Sequence, residues 1–359
     1  MKSIAFFGYN LEIGGAEKSL VNIINFLHQD YKIDLYLYEK KGTLIKKLPS
    51  DIEIFEIKRS KYMYAKFKYI KSYRKKEINK ICNKKYDFLV AYLEGRLATL
   101  ITEIDQNCKK IAWIHTDVTK HNIGISYKEA LDSYEKVDEI VFVSNDIKES
   151  FLNKYNISGN KTKVISNIIN ANEIIELSKE KRIEKKAFTF VNVSRMRNEK
   201  RHDLLIDACK ILKDQGFKFQ MWLVGDGENY TKIAQKVKEL ELESEVTLWG
   251  IQENPYPFIA SADCFVLSSD YEGQSLVVLE ALILKKPIIS TQIPVVEKII
   301  ANNNCGIICE HNAKSLANEM VLMLNKKNFD EINKKVMNFK LNCDNLFKEV
   351  RDLFEYEAK

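Results

Sequence analysis

Apolar and polar positions along the chain alternate between two rhythms. Short runs rich in β-branched and aromatic residues are separated by longer stretches in which apolar residues recur every three or four positions. In the first half the short runs are Ile4–Gly8, Lys32–Tyr38, Phe88–Tyr92, Lys110–His115, Glu139–Val143 and Lys163–Ser166. Helical periods lie between most of them, as in Ala16–Leu27 and Asp146–Lys154. Polar, charge-rich residues from Asn170 to Lys186 interrupt the pattern. It restarts with Ala187–Val193, Phe219–Val224, Val246–Trp249, Cys264–Leu267, Pro287–Ser290 and Gly306–Cys309. Strands alternating with helices predict βαβ units on parallel sheets, so the expected class is α/β with two doubly wound, Rossmann-like domains. The expected division is 1–168, a linker over 169–186, a second domain over 187–335, and a closing helix over 336–359 marked by Val336, Phe339, Leu346, Val350 and Phe354.

Composition supports that picture. A length of 359 residues suits two domains, and 45% apolar with 30% charged residues suits buried cores under solvated surfaces. No apolar run approaches the ~18 residues that span a bilayer. The apolar start, Met1–Tyr9, is too short for a signal peptide and lacks a small-residue cleavage site, so it reads as a buried first strand. Seven cysteines, an odd number with no C-x-x-C pair, argue against a disulfide framework or zinc knuckle and point to the reducing cytoplasm.

The net charge of +6 is unevenly placed. Residues 58–85 hold twelve Lys/Arg against one acidic residue, Glu77, which leaves the rest of the chain net negative. On a helix, Met63, Phe67, Ile70, Ile78 and Ile81 share one stripe, while Lys61, Lys68, Lys71 and Lys75 share another face. The stripe reads as core. The basic face suits the inner surface of an anionic membrane or an anionic acceptor such as a lipid pyrophosphate, though a plain solvated face fits as well. No nucleic-acid-binding motif accompanies the charge, which argues against that partner.

Chemistry in open α/β sheets sits at strand-to-helix turns. Three turns qualify. The first, Tyr9 to Glu17, contains Gly14-Gly15 ahead of a helix whose free N–H groups suit an anion, but it is neither G-x-G-x-x-G nor a P-loop. The second follows the strand Ala187–Val193 and places Arg195 and Lys200 five apart, a spacing that could clamp a diphosphate or simply be a basic loop. The third, Tyr271 to Leu282, places Glu280 among Leu276, Val277, Val278, Leu279 and Leu282 in a helix expected to start near Gln274. Burying that carboxylate costs several kcal/mol without a hydrogen-bond partner, a need that sugar or ribose hydroxyls could meet.

Taken together, these turns resemble the retaining glycosyltransferases of family 4. EGQSLVVLEAL carries the E-x7-E spacing of Glu272 and Glu280, and VSRMRNEKRHDLLIDA, WLVGDGENY, GYNLEIGGAEKSLVNI, AWIHTD and VISNIIN are similar to further family motifs in family order. The resemblance implies a bacterial surface-polysaccharide enzyme with the GT-B fold, two Rossmann-like domains facing a central cleft and the closing helix packed back on the first. It implies a nucleotide-sugar donor held mainly by the second domain and a lipid-linked or polymeric glycan acceptor held by the first. No metal or other cofactor is implied. Arg195 and Lys200 would hold the donor diphosphate, Gly14 and Gly15 would cap it, and Glu280 would bind ribose hydroxyls. Glu272 and His115 would contact the donor sugar. Gly273 lies in the same turn, the backbone of Gln274, Ser275 and Leu276 would meet sugar or phosphate oxygens, and Gly250 and Ile251 would meet the base. The leaving phosphate would take the acceptor's proton in a front-face attack. Departures at Ser194, Gln274, Lys285-Lys286-Pro287 and Pro294-Val295 bear on which sugar is taken. Two rival functions are a sugar-nucleotide epimerase of the same fold and a non-catalytic, sugar-nucleotide-binding or scaffold subunit of an assembly complex.

Overall fold

The computed structural model describes residues 1–12, 14–57, 71–120, 123–341 and 343–355. The chain divides into two compact units, Met1–Ile169 with Cys343–Lys359, and Asn170–Asn342.

In the first unit the chain runs β1 (Ser3–Gly8), α1 (Gly15–Leu27), β2 (Lys32–Leu37), β3 (Glu53–Glu56), α2 (Lys71–Ile81), β4 (Phe88–Ala91), α3 (Arg96–Glu103), β5 (Lys109–Ile114), α4 (Tyr127–Lys136), β6 (Glu139–Phe142), α5 (Asn145–Tyr155) and β7 (Thr162–Val164). The strands form one parallel sheet in the order β3-β2-β1-β4-β5-β6-β7. Six of these strands answer to the apolar runs. The seventh, β3, is a four-residue edge strand, only partly buried, and its Glu-Ile-Phe-Glu pattern is too short to stand out. Helix-covered sheet faces explain why β1, β4 and β6 read as unbroken apolar runs rather than alternating ones.

The second unit continues with α6 (Ala171–Ser178), β8 (Thr189–Val193), α7 (His202–Asp214), β9 (Gln220–Val224), α8 (Tyr230–Glu239), β10 (Val246–Gly250), α9 (Tyr256–Ser261), β11 (Cys264–Leu267), α10 (Leu276–Ile283), β12 (Ile288–Thr291), α11 (Pro294–Asn303), β13 (Gly306–Cys309), α12 (Ala313–Leu324) and α13 (Lys326–Met337). Its sheet is parallel, in the order β10-β9-β8-β11-β12-β13. The segment expected as a linker contains α6, which buries Ile174 and packs on α9 and α10, so it belongs to the second unit. Its polar composition hid that role.

The expected closing helix over 336–359 is likewise divided. Asn338 caps α13, Phe339 is buried, and α14 (Cys343–Phe354) starts only afterwards. It returns to the first unit, where Val350, Leu353 and Phe354 are fully buried and Phe354 meets the rings of Phe6, Tyr31 and Phe88. Burial of such side chains contributes roughly 1.5–3 kcal/mol each.

In each sheet the strand order reverses once, between β1 and β4 and between β8 and β11. Crevices at the carboxyl ends of such switch points are where open α/β sheets bind ligands. In the second unit, that places the turns after β8 and β11 side by side.

Candidate functional site

The basic turn of the second unit is held from below by the turn after β9. Met196 N–H donates to the Asp226 carbonyl at 2.9 Å, and Asn229 N–H donates to the Met196 carbonyl at 3.0 Å. Gly225, at φ +140°, makes this possible, since a Cβ there would lie 2.0 Å from the Ser194 oxygen. The turn is also sewn to the loop after β11. Ser268 Oγ donates to the Lys200 carbonyl at 2.8 Å, and Asp270 N–H to the Glu199 carbonyl at 2.8 Å.

Across this seam, Lys200 Nζ meets Glu272 Oε1 at 2.7 Å, and Ser269 Oγ donates to the same oxygen at 2.8 Å. Both partners are mostly buried, with side-chain exposures of 20% and 11%. Two residues 72 positions apart, to which the family resemblance gives separate ligand contacts, are thus joined directly. The Arg195 side chain is exposed at the start of the same turn. Arg201 turns outward to Asp203 and Asp270.

The helix expected near Gln274 begins at Leu276, two residues later, because Ser275 adopts a left-handed conformation at φ 56°. Ser275 Oγ is buried without a hydrogen-bond partner. Gly273 and Gln274 precede it in a half-buried loop. Glu280 is buried, as its apolar neighbours predict, and a protein group already serves it: Tyr256 Oη donates to Oε1 at 3.0 Å. Burial and the Glu280 charge push the Tyr256 phenol well above its ordinary value. Gly250 closes β10 with φ 64° and accepts from Gly225 N–H at 2.8 Å, while Ile251 is 68% exposed.

Behind the basic turn lies a chain the sequence did not announce. Asn192 Nδ2 donates to the Val266 carbonyl, which fixes its amide, and its Oδ1 accepts from Ser194 Oγ at 2.8 Å. Ser194 Oγ then receives His202 Nε2–H at 3.0 Å. The network therefore assigns the Nε2–H tautomer to His202. Burial, with the Lys200 charge beside it, drives the His202 pKa down to about 4. The signal available in sequence was Ser194 itself, standing where the resembling family has glycine.

In the first unit, Gly14 is the extended N-cap of α1 and Gly15 its first residue, and no side chain caps the helix. The loop before them is pinned by Leu11, whose N–H donates to the Lys41 carbonyl at 2.9 Å. Gly42 at φ +120° permits that contact, since a Cβ would meet the Leu11 carbonyl at 2.0 Å. His115 follows β5 and is buried, with its ring 4.6 Å from that of Tyr92. Burial lowers its pKa to about 3, with Asn167 opposing. Glu94, unmarked in the sequence, sets its position by accepting from His115 N–H at 3.0 Å and from Thr116 Oγ1 at 2.6 Å. Tyr92 also donates to Ser19 Oγ of α1 at 2.9 Å, so it ties His115 to the Gly14–Gly15 helix.

The basic segment is described only in part. Lys61, Lys68, Met63, Phe67 and Ile70 lie outside the described residues. Lys71 opens α2, Ile78 is buried as the stripe predicts, and Lys75 pairs with Asp105 at 2.7 Å. No helix among the described residues is long and apolar enough to cross a membrane.

Comparison with known proteins places both halves. Residues 13–173 match the family model of Glycosyltransferase Family 4, and residues 173–338 that of Glycosyl transferases group 1. An uncharacterized glycosyltransferase of Methanocaldococcus jannaschii is 31% identical over 221 residues, 57% of this chain and 53% of its own, so the chain spans about half that relative's length. The N-acetylgalactosamine-N,N'-diacetylbacillosaminyl-diphospho-undecaprenol 4-alpha-N-acetylgalactosaminyltransferase of Campylobacter jejuni is 26% identical over 307 residues, 81% of each chain. Among solved structures, Anabaena HepE in complex with UDP and glucose is similar with a TM-score of 0.80 at 16% identity, over 99% of this chain and 100% of that one. At such identity the likeness speaks for the fold, and with the two parallel Rossmann-like sheets it gives this chain the GT-B fold.

Proposed function

We propose that this chain, whose two halves match the family models of Glycosyltransferase Family 4 and of Glycosyl transferases group 1, is an enzyme that moves a hexose or N-acetylhexosamine from a nucleotide sugar to a lipid-linked or polymeric surface-glycan acceptor, with retention of configuration. The observation that carries the reading is the meeting of Lys200 and Glu272 at the switch point of the second sheet, on the turns that carry Arg195 and lead into the helix of buried Glu280.

In this reading Arg195 and Lys200 hold the donor diphosphate and neutralise it as it leaves. Stabilising that departing charge is the main catalytic term, because no protein nucleophile is invoked and no metal is required. An arriving diphosphate competes with Glu272 for the Lys200 ammonium. Ser269 keeps hold of Glu272 Oε1, which leaves Oε2 for a sugar hydroxyl. Glu280, oriented by Tyr256, takes the ribose hydroxyls. Backbone N–H groups at the start of α10 and the buried Ser275 hydroxyl offer donors to sugar or phosphate oxygens. Gly14 and Gly15 cap the diphosphate, His115 binds the sugar as a neutral imidazole, and Gly250 and Ile251 meet the base. The relatives favour UDP as the nucleotide and a diphosphate-linked lipid as one acceptor class, since HepE was solved with UDP and the Campylobacter enzyme is named for a diphospho-undecaprenol substrate. The basic face of 58–85 supports work at the inner face of an anionic membrane.

A thermal-shift series with UDP-, GDP- and CDP-sugars tests the reading, because a ligand that binds the folded state raises Tm by mass action. A UDP-sugar is expected to raise Tm and to be slowly hydrolysed to a sugar of unchanged anomeric configuration. Absence of both effects with every nucleotide sugar would overturn it.

A further inference from the structure

The second unit holds a cavity at the opposite end of its sheet from Lys200 and Glu272. It has a volume of about 420 Å³ and opens to solvent. One wall is the segment after α6, with Lys179, Lys181, Arg182 and Lys185. The other comprises residues just ahead of β11 and β12, including Asp263 and Lys286. We propose that this cavity binds a phosphoryl group, presented either as a free phosphate anion or as the headgroup of an anionic phospholipid.

Charge bookkeeping favours an anion. Asp263, the carboxylate in the lining, is already engaged by Lys185 and by Thr189 N–H at 2.8 Å. Lys179 pairs with Glu176. That leaves Lys181, Arg182 and Lys286 with no carboxylate in ion-pair range among the described residues. Lys286 Nζ donates one proton to the Ala262 carbonyl at 2.8 Å, and an ammonium carries two more. Burial lowers its pKa to about 8, with Lys185 pushing the same way and Asp263 opposing, so the lysine is one whose charge an incoming anion would stabilise.

The wall is also built in advance. Ile183 N–H donates to Ser261 Oγ at 3.0 Å, Lys186 N–H to Gln220 Oε1 at 2.8 Å, and Asn254 Nδ2 to the Leu177 carbonyl at 2.8 Å. Lys181 lies over the Phe258 ring at 4.8 Å. A fixed strap of cations over a partly buried ammonium fits a ligand with several charged oxygens, which can meet more than one cation at once. At ~30 Å³ per water the cavity holds on the order of a dozen waters, enough for a phosphoryl group that keeps part of its hydration.

The test compares the wild-type chain, the double variant Lys181→Gln/Arg182→Gln, and Lys200→Ala. The probes are inorganic phosphate and pyrophosphate by calorimetric titration, and phosphatidylglycerol against pure phosphatidylcholine vesicles by co-sedimentation. Both residues of the double variant are exposed, so its Tm should be unchanged. Affinity for at least one anionic probe is expected to fall at least ~10-fold in the double variant and to persist in Lys200→Ala. A fall confined to the inorganic anions identifies a free phosphate as the source, and one confined to phosphatidylglycerol vesicles identifies the headgroup. Equal binding by wild type and double variant, no binding of any probe, or loss only in Lys200→Ala would overturn the proposal.

Discussion

The carboxyl ends of the two sheets are built from different materials. In the second unit the polar groups are cross-linked to one another: Lys200 to Glu272, Glu272 to Ser269, Glu280 to Tyr256, and Ser194 to His202. In the first unit the corresponding ground is a bare glycine helix start and a histidine enclosed by aromatic rings, with Glu94 engaged through the backbone of His115. The contrast teaches that charge is pre-arranged at the end of the second sheet, where the proposed function puts the donor diphosphate, whereas the first sheet offers shape and backbone donors.

The strongest way to break this comparison is to remove the cations. Arg195→Ala and Lys200→Ala should each cut turnover at least ~100-fold while circular dichroism and Tm show an intact fold. Near-wild-type turnover in both would erase the distinction between the units. Next in size is Gly225→Ala, which forces a Cβ against the Ser194 oxygen and should destabilise the second unit by about 2–4 kcal/mol in denaturant unfolding. Gly42→Ala applies the same insult to the Leu11 loop of the first unit, and the two transitions should move separately.

Acid sharpens the contrast further. His115 and His202 are neutral when folded, with pKa values lowered to about 3 and about 4. Below the unfolded value of about 6.5 the unfolded chain binds more protons, so stability should fall as pH drops toward those values, by up to ~1.4 kcal/mol per pH unit for each. His115→Gln should flatten that fall in the first unit and His202→Gln in the second; an unchanged slope in either variant would mean that its histidine is charged in the fold.

Smaller still, Tyr256→Phe removes one donor from buried Glu280 and should lower stability by about 1 kcal/mol, or roughly 2–4 °C in Tm, while raising the KM for donor. An unchanged KM would detach Glu280 from the donor. Lys75→Ala, which breaks an exposed pair with Asp105, should shift stability by less than ~0.5 kcal/mol.

Much of the fold was legible because parallel strands covered on both faces leave unbroken apolar runs, and twelve of them were marked. The strand Glu53–Glu56 escaped because its edge position demands little burial. Glu280 could be read as a buried carboxylate from its neighbours, but Tyr256 could not be read as its partner, lying between two prolines in Pro-Tyr-Pro with no periodicity to place it. The Lys200–Glu272 pair depends on which strands are neighbours in the sheet, and no local pattern encodes that adjacency. Glu94 escapes for a related reason: the groups that donate to its carboxylate sit one strand away, at His115 and Thr116.

The return of α14 to the first unit has a consequence for biosynthesis. Phe354 lies against β1 and β4, yet the ribosome makes it only after every residue of the second unit. At 5–20 residues per second, the first unit waits roughly 10–40 s between emergence of its last strand and arrival of this helix. Throughout that interval the surface around Phe6 and Phe88 lacks its cover, so the segment made first is the one completed last, and it is the natural client for a chaperone during synthesis.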